Sequence, residues 1–517
     1  MADKQTVFPV ISKPGIKRDG TVFEGDGYVD GQWVRWQRGF PRKIGGFRQI
    51  TRGFSGPARA LHVHPVNGRY IVHQCSATAV QRVVLSADGF GDGVINRTPS
   101  GLTATQACSW QIATMWDPTG AGTPRIFAYA ARNLDSISSD SAGVTYWGDI
   151  TDTAPLTAAT GIPQLSGGIC VVPPYMFAFG SDGRIAWSDA GLPNTFTGGD
   201  SGAANITNAK IVAMRPLRSP GGQAPAALIW TLDSLYRATY VGDPAIFSFD
   251  SLSDESSILS PSSIVEMDGV FYWLGTDRFC AFNGVVREIP NEQNRDWFFG
   301  TPTAPGLNYA ARTKVWGVKV PRFGEIWWFH PRGDATECTH VLIYNVREQC
   351  WYDSEIGRAA GFYSQVFPFP IMASATSLAG STATGFALWQ HELGTDRVEG
   401  NKSLAIQSFY ETGDIAYANG GPMHSGWTGV DRWVRIYRIE PDFIQQGSMR
   451  ISVMGRAYAR GATETDSYDF EPGTEKVDMK NQRREMRLRF ESNVQGGYFE
   501  AGQTLAHLDV GDGRQGR

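Results

Sequence analysis

Short strands that carry apolar or aromatic residues on both faces recur along most of the chain. Their central residues lie 42 to 60 residues apart, and each strand is followed by a turn and a second strand. The seven segments are RYIVH from Arg69, IFAYA from Ile126, YMFAFG from Tyr175, ALIWT from Ala227, VFYWLG from Val270, EIWWFHP from Glu325 and GFALWQ from Gly385. A repeat of this length, made of strands and turns, is typical of β-propeller blades. The uneven spacing fits either six or seven blades.

The segment from Gly269 to Gly284 illustrates the hairpin pattern. Its first strand ends at the turn Gly275-Thr276-Asp277, and the chain returns as Phe279 to Phe282 before Asn283-Gly284. An apolar run that ends in Asn-Gly is a strong hairpin signal. Apolar residues on both faces predict sheets stacked face to face, with Trp273 in the core. The alternative for these repeats is a large β-sandwich with two flat stacked sheets.

The pattern changes beyond Gly394, where apolar and polar residues alternate. In Glu485 to Glu491, Met486, Leu488 and Phe490 share one face, while Arg487 and Arg489 share the other. A period of two with one polar face predicts an antiparallel sheet of a second kind. The sequence therefore predicts an all-β protein, a β-propeller with an additional C-terminal antiparallel β-domain. Its regions are an N-terminal arm (1–55), propeller-like repeats (56–395), the C-terminal β-domain (396–505) and a polar tail (506–517).

Composition supports the all-β prediction and narrows the environment. The 60 glycines and 28 prolines interrupt the chain too often for long helices, and an aromatic share of 12% favours strands. No apolar stretch approaches the roughly 20 residues of a membrane helix, so no membrane insertion is expected. The start, MADKQTVFPV, lacks a signal-peptide pattern, which predicts a protein that is not exported by that route. A net charge of −4 gives no global basic field, so contact with nucleic acid would be local.

The sequence offers few residues for catalysis or metal binding. Six single cysteines without CxxC spacing indicate buried free thiols in a reducing cytoplasm: Cys75, Cys108, Cys170, Cys280, Cys338 and Cys350. His62 and His64 project from one side of a strand, but no third ligand is nearby, so they are interpreted as structural. Ser138 to Asp149 is similar to the turn-bracing Asp-box of sialidase-like propellers, with one extra residue. No catalytic residue, metal site or cofactor is predicted.

Two basic segments remain as candidates for binding. In Trp33 to Arg52 arginines alternate with aromatic residues, and a second cluster occupies Lys480 to Arg489. Such segments can hold a phosphate backbone, but a solvated face or a protein interface is the favoured interpretation, because arginine and aromatic residues also mark protein interfaces. For the strand at Glu485 to Glu491, acidic groups of an adjacent subunit or a partner protein are favoured over the phosphates of passing DNA. The candidate interface or channel residues are Arg35, Arg38, Arg42, Lys43, Arg483, Arg484, Arg487 and Arg489.

The order of several segments resembles one protein family over most of the chain. These segments are WVRWQRGFPRKIGGF (33–47), LIWTLDSLYRATYVGDPAIFSFD (228–250), the strand pair DGVFYWLG and FCAFNG with NRDWFF (294–299), EIWWFHP with YNVREQCWYD (325–353), and RREMRLRFESN with a closing LDVGDGR. The chain resembles the tail nozzle proteins of short-tailed bacteriophages, also called tail tubular protein B. The related packaged-DNA stabilisation proteins, or tail hubs, share that position, and the sequence does not separate the two.

The resemblance implies a structural protein rather than an enzyme. It implies a homohexameric ring below the portal and adaptor proteins, with possible contact to tail fibres, that encloses the channel for the double-stranded genome. The protein would fold in the host bacterial cytoplasm, belong to the virion tail, and serve in genome retention and ejection. A slightly acidic chain suits a wall that must not bind DNA tightly. The alternatives are a propeller enzyme that hydrolyses glycans and a lectin-like binding module.

Overall fold

The computed structural model describes most of the chain. The described residues are 6–20, 27–86, 91, 93–102, 109–119, 124–131, 143–217, 224–364, 367–378, 385–418, 421–424, 432–457 and 461–513. Strands dominate them. Their only α-helix is Arg295–Phe299, and three 3-10 segments lie at Ser181–Gly183, Pro261–Ser263 and Tyr309–Lys314.

Six four-stranded antiparallel sheets follow one another along the chain as blades 1 to 6. Blade 1 contains Ala58–Val66, Arg69–Ser76, Val80–Leu85 and Ile95–Asn96. Blade 2 contains Ser109–Trp116, Pro124–Ala131, Val144–Asp149 and Thr157–Ala158. Blade 3 contains Gly168–Val172, Tyr175–Phe179, Arg184–Trp187 and Gly202–Asn205, and blade 4 contains Ile211–Pro216, Ala226–Thr231, Leu235–Gly242 and Ile246–Ser253. Blade 5 contains Val265–Met267, Val270–Leu274, Phe279–Phe282 and Val286–Glu288, and blade 6 contains Trp316–Val320, Glu325–His330, His340–Asn345 and Cys350–Glu355.

Blade 7 closes the ring with a strand from the start of the chain. Arg358–Ser364, Phe367–Ser374 and Phe386–His391 form its first three strands, and Phe47–Phe54 pairs antiparallel with the third. Two short strands, Arg397–Glu399 and Lys402–Leu404, extend the sheet further. The first strand of blade 7 packs against the first strand of blade 1. The fold is therefore a seven-bladed propeller whose last blade joins N-terminal and later segments.

The hydrophobic core lies between the blades, as the apolar residues on both strand faces require. Blades 1 and 2 share a cluster around Trp110 and Ile126, and blades 4 and 5 share one around Trp230 and Trp273. Similar clusters fill the other gaps, including the gap between blades 7 and 1. Because each sheet buries both faces against its neighbours in a closed ring, the β-propeller prediction is confirmed, and the flat two-sheet sandwich is wrong.

The C-terminal domain is an eleven-stranded sheet with a smaller sheet beside it. The large sheet contains Thr6–Pro9, Asp30–Gln32, Ser408–Glu411, Ile415–Ala418, Gly421–His424, Arg432–Glu440, Met449–Arg456, Glu464–Phe470, Val477–Arg483, Glu485–Ser492 and Leu505–Gly513. The smaller sheet contains Val34–Gln37, Phe40–Lys43, Phe443–Gln446 and Tyr498–Ala501, and Lys13–Ile16 pairs in parallel with Gly27–Tyr28. Met486, Leu488 and Phe490 are buried, as their alternation predicts.

Residues 1–55, predicted as a separate arm, are instead divided among several sheets. Thr6–Pro9 pairs with Leu505–Gly513, Asp30–Gln32 pairs with Ser408–Glu411, and Phe40–Lys43 pairs with Tyr498–Ala501. Trp33 and Trp36 are buried in one core that joins blades 6 and 7 to the C-terminal domain. The apolar residues of this segment complete surfaces that other parts of the chain provide.

The predicted polar tail, 506–517, is largely a strand. Leu505–Gly513 lies between Thr6–Pro9 and Arg432–Glu440, with Ala506 and Leu508 fully buried. Two buried apolar side chains at alternate positions are enough to fix a strand between two partners. The polar residues between them gave the segment its tail-like composition. Residues 514–517 lie outside the described part of the chain.

Candidate interface site

The first basic segment forms a hairpin that docks on blade 6. Val34–Gln37 and Phe40–Lys43 pair through a tight turn in which Arg38 has φ 54° and Gly39 has φ 79°. Positive φ at both turn residues matches the twist of a two-residue hairpin. The Glu348 carboxylate accepts hydrogen bonds from the backbone N–H groups of Arg38 (2.8 Å) and Gly39 (3.2 Å). The turn therefore holds the hairpin tip against the end of blade 6.

Arg35 lies at the centre of a buried ionic cluster and reaches no surface. Its side chain is 1% exposed, with Nε 2.9 Å from the Glu325 carboxylate and the terminal nitrogens 2.5 and 3.0 Å from Glu392. The guanidinium also stacks on Phe323, 3.6 Å from the ring centroid. Tyr352 and Trp327 donate further hydrogen bonds to Glu325. The prediction of Arg35 as an interface or channel residue is therefore wrong. Arg35 is a structural link between the hairpin, blade 6 and blade 7.

Burial governs the electrostatics of this cluster. Desolvation raises the pKa of Glu325, and the positive charge of Arg35 opposes that rise. Burial acts in the same way on Tyr352, whose pKa is raised well above its ordinary value. A charged Arg35 is thus the counterion that opposes the effect of desolvation on the Glu325 carboxyl group.

The same prediction for Lys43 is also wrong, because this residue is only 1% exposed. Its ammonium group donates to the Gly497 carbonyl oxygen at 2.7 Å. Burial lowers the pKa of Lys43 to about 8, and the charge of Asp396 partly offsets this effect. Lys43 therefore fastens the hairpin to the C-terminal domain.

Arg38 and Arg42 remain at the surface and line a cleft of about 410 Å³. We name it the arginine cleft. Its walls are Gln37, Arg38, Arg42, Phe323, Asn345, Arg347, Glu348 and Glu500. The Arg38 side chain is 80% exposed and contacts Glu500 at 3.1 Å, while Arg42 contacts the same carboxylate at 3.2 Å. Arg347 donates to the backbone oxygens of Arg322 and Pro321 rather than to an acid. Three arginines against two glutamates leave the cleft with an excess of positive charge.

The second basic cluster pairs with acids of the same chain. Arg487 Nε lies 2.9 Å from Asp414, which Arg456 also contacts. Arg489 lies 3.3 Å from Glu411 and 2.8 Å from Glu491, and its guanidinium covers the Phe409 ring. These arginines lie on the predicted polar face, but acids within the chain already neutralise them.

The two arginines just before this strand are paired as well. Arg483 lies 2.6 Å from Glu464 and 3.6 Å from Asp466. Arg484 lies 3.4 Å from Glu485. The eight candidate residues therefore do not converge on one site, and only Arg38 and Arg42 of the first segment share a cleft.

A second polar cleft, of about 540 Å³, was not anticipated from the sequence. Arg18 bridges Asp353, with Nε to Oδ1 at 3.0 Å, and Asp30 at 2.5 Å. Burial raises the pKa of Asp353, and Arg18 opposes the rise. Arg332 stacks on Trp297 at the same cleft. Arg18 and Asp353 are 335 positions apart, so this ion pair could not be predicted from a local motif.

The other residues that the sequence analysis considered for chemistry are two histidines, six cysteines and the Asp-box-like segment. His62 and His64 have ring centroids 6.4 Å apart, and burial lowers the pKa of His62 to about 4. No group of three or more His, Cys, Asp or Glu side chains among the described residues is arranged to hold a metal. Five of the cysteines are buried free thiols, whereas Cys108 and the first part of the Asp-box-like segment lie outside the described residues. In that same part of the chain, no helix is long and apolar enough to cross a membrane.

These features define the chain as a seven-bladed β-propeller interlocked with an antiparallel β-domain. No family model and no curated protein matches it. Similar solved structures include an exo-beta-1,3-galactanase from Phanerochaete chrysosporium, with 11% identity over 90% of this chain and 99% of that chain, and a TM-score of 0.30. A Bacteroides fragilis protein has 8% identity over 67% of this chain and 94% of its own, also with a TM-score of 0.30.

Proposed function

We propose that the chain is a structural subunit of a short phage tail, a nozzle or hub of which six copies form a ring around the DNA channel. It acts in genome retention and ejection and is not an enzyme. The order of the segments that resemble tail nozzle proteins supports this proposal, and so does the architecture. The proposed partners are neighbouring copies, the adaptor and portal proteins, and tail fibres.

The observation that carries the proposal is the interlocking of the propeller with the C-terminal domain. Thr6–Pro9 and Asp30–Gln32 pair in the sheet of the C-terminal domain, and Phe47–Phe54 then closes blade 7. The buried Arg35 cluster and the shared core stabilise the contact between the propeller and the C-terminal domain, which we call the seam. The chain crosses between the two parts twice, at 43–47 and at 404–408, so separating them would expose the shared core and break the buried ion pairs. Such cooperative resistance suits a wall that must stay intact while a genome passes through it.

The charges of the described residues are also compatible with a conduit. A channel wall that bound phosphates through many unpaired arginines would release DNA only slowly. In this chain Arg487 and Arg489 are neutralised by acids within the chain. The arginine cleft keeps an excess of positive charge but is small, and we assign it to acidic side chains of an adjacent subunit or adaptor protein.

Mass photometry and electron microscopy of the purified chain test the assembly. We expect a six-fold ring, alone or after addition of the adaptor protein. A monomer that hydrolyses a glycan would contradict the proposal and favour the propeller enzyme. A monomer that only binds glycans, and never joins a tail, would favour the lectin-like module.

A matched pair of charge reversals tests the arginine cleft. Arg38→Glu is expected to weaken ring or adaptor assembly, because it places a third acid beside Glu348 and Glu500. Arg237→Glu is the control, since Arg237 is an exposed arginine of blade 4 with a single acidic neighbour. Equal assembly by both variants would remove the cleft from the interface without contradicting the ring itself.

A further inference from the structure

A cleft of about 590 Å³ opens on the C-terminal domain beside Tyr437. Tyr437 is an extra residue relative to Leu505–Gly513, because Ile436 pairs with Leu508 and Arg438 pairs with His507. On its other side, Met479 and Lys480 together oppose Tyr437 in the neighbouring strand. Irregular pairing on both sides of one residue redirects its side chain and interrupts the regular sheet surface. The cleft lies at this irregularity, with Tyr468 on its wall.

Hydrogen bonds fix the two tyrosine rings of this cleft. The Tyr437 hydroxyl donates to Asp509 at 3.3 Å and accepts from Arg435 at 3.2 Å. The Tyr468 hydroxyl donates to Asn481 at 2.8 Å. Both rings are only partly buried, so part of each apolar surface is open to the cleft. Fixed aromatic rings lose little conformational entropy when a ligand packs on them.

Polar groups surround the rings. Arg438 is paired with Asp478 at 2.7 Å, and His507 contacts Glu440 at 2.7 Å. Lys480 is exposed and forms no ion pair with any described residue. The cleft therefore combines two aromatic surfaces, several hydrogen-bonding groups and one cation without a counterion. Its volume lies within the range of small-ligand sites, roughly 300 to 1,000 Å³.

We propose that this tyrosine cleft binds a short acidic oligosaccharide. The C–H faces of pyranose rings would pack on Tyr437 and Tyr468, because the π face of an aromatic ring is electron-rich. The hydroxyl groups of the sugar would pair with the planar side chains of Arg438, Asp478 and His507. A uronate carboxylate would be the counterion of Lys480. This site is separate from the arginine cleft and does not depend on ring assembly.

Titration calorimetry with the full chain compares two trisaccharide probes of equal length, trigalacturonate and galactotriose. We expect the acidic probe to bind about tenfold more tightly, an effect of one charge pair at a partly exposed site. Tyr437→Ala should weaken binding of both probes, because both lose the aromatic surface. Lys480→Glu should abolish the preference for the acidic probe and leave the neutral probe unchanged.

Lys402→Glu is the matched control, an exposed lysine on the last strand of the blade 7 sheet, and should bind as the parent chain does. Lys480 is exposed, so its variant stays informative even if Tyr437→Ala does not fold. No binding of either probe at about 10 mM would overturn the proposal. Equal affinity for the two probes, or unchanged binding by a folded Tyr437→Ala variant, would also overturn it. A hexaglutamate peptide that bound as tightly as trigalacturonate, and lost binding in Lys480→Glu, would replace the glycan with an acidic peptide.

Discussion

Removing the Arg35 charge should loosen the seam between the propeller and the C-terminal domain. In Arg35→Met, Glu325 and Glu392 keep their buried positions but lose the guanidinium that contacts both. Breaking a buried ion pair from one side costs about 3 to 5 kcal/mol, because an uncompensated charge remains. The methionine also gives up the stacking of the guanidinium on Phe323. We therefore expect a loss near the upper end of that range.

Arg38→Met is the control, because it lies three residues away on the same hairpin. The Arg38 side chain is 80% exposed, so its ion pair with Glu500 contributes less than about 1 kcal/mol. Native-state hydrogen exchange in Val34–Gln37 and Glu325–His330 measures the effect locally. This local measurement suits a chain of 517 residues, which need not unfold in a single step. Equal exchange protection in the two variants would refute the assignment of Arg35 as the central ion of the seam.

The Arg35→Met defect should also depend on pH. Burial raises the pKa of Glu325 even beside Arg35, and loss of the guanidinium removes the opposing influence. A raised folded-state pKa means that the folded chain binds more protons than the unfolded chain, so stability falls as pH rises above the unfolded value of about 4.3. The defect should therefore shrink on acidification. A defect that grew at low pH, measured relative to the parent chain, would contradict this linkage.

Three further outcomes follow from buried groups. Trp273→Ala should cost about 3 to 5 kcal/mol, because the ring is fully buried against Trp230, whereas Thr276→Ala in the adjacent turn should cost about 1 kcal/mol or less; urea midpoints compare the two. The free energy of unfolding of the parent chain should rise by up to about 3 kcal/mol relative to that of Lys43→Met between pH 8 and 10, because the folded-state pKa of Lys43 is lowered. Thermal unfolding of both proteins across this pH range measures the difference. A difference that fell with rising pH would contradict the prediction. Arg487→Ala should destabilise the chain by about 1 to 3 kcal/mol, because Asp414 is nearly buried, while exposed Arg450→Ala should change the melting temperature little; equal shifts would contradict the in-chain pairing.

The blades could be predicted because each contains its own signal. Six of the seven aromatic segments are the second strands of blades 1 to 6, where both faces meet a neighbouring blade. The seventh, from Gly385, overlaps the third strand of blade 7, and Phe367–Ser374 occupies the second position. This change of position explains part of the uneven spacing. It also explains why the sequence left six and seven blades open.

The interlocking of the two parts could not be predicted from local patterns. Thr6–Pro9 and Asp30–Gln32 are short strands whose partners lie several hundred residues away. A short strand has little period of its own, and its register depends on the partner. The last strand, Leu505–Gly513, was missed for the same reason, because Ala506 and Leu508 are its buried apolar side chains among the residues whose burial is described.

The arginine-rich segments show why a run of basic residues indicates buried contacts between parts of the chain more readily than it indicates a ligand site. Arg35 and Arg38 belong to the same run of basic and aromatic residues, yet one is fully buried and the other is exposed. The difference arises from Glu325 and Glu392, which are 290 and 357 positions away from Arg35 and convert it into an internal counterion. A cation is available for a partner only when the fold leaves it without such an acid. The arginine cleft contains one more arginine than glutamate, and Lys480 in the tyrosine cleft forms no ion pair with a described residue, so both clefts should respond to charge reversal by losing binding before they lose stability.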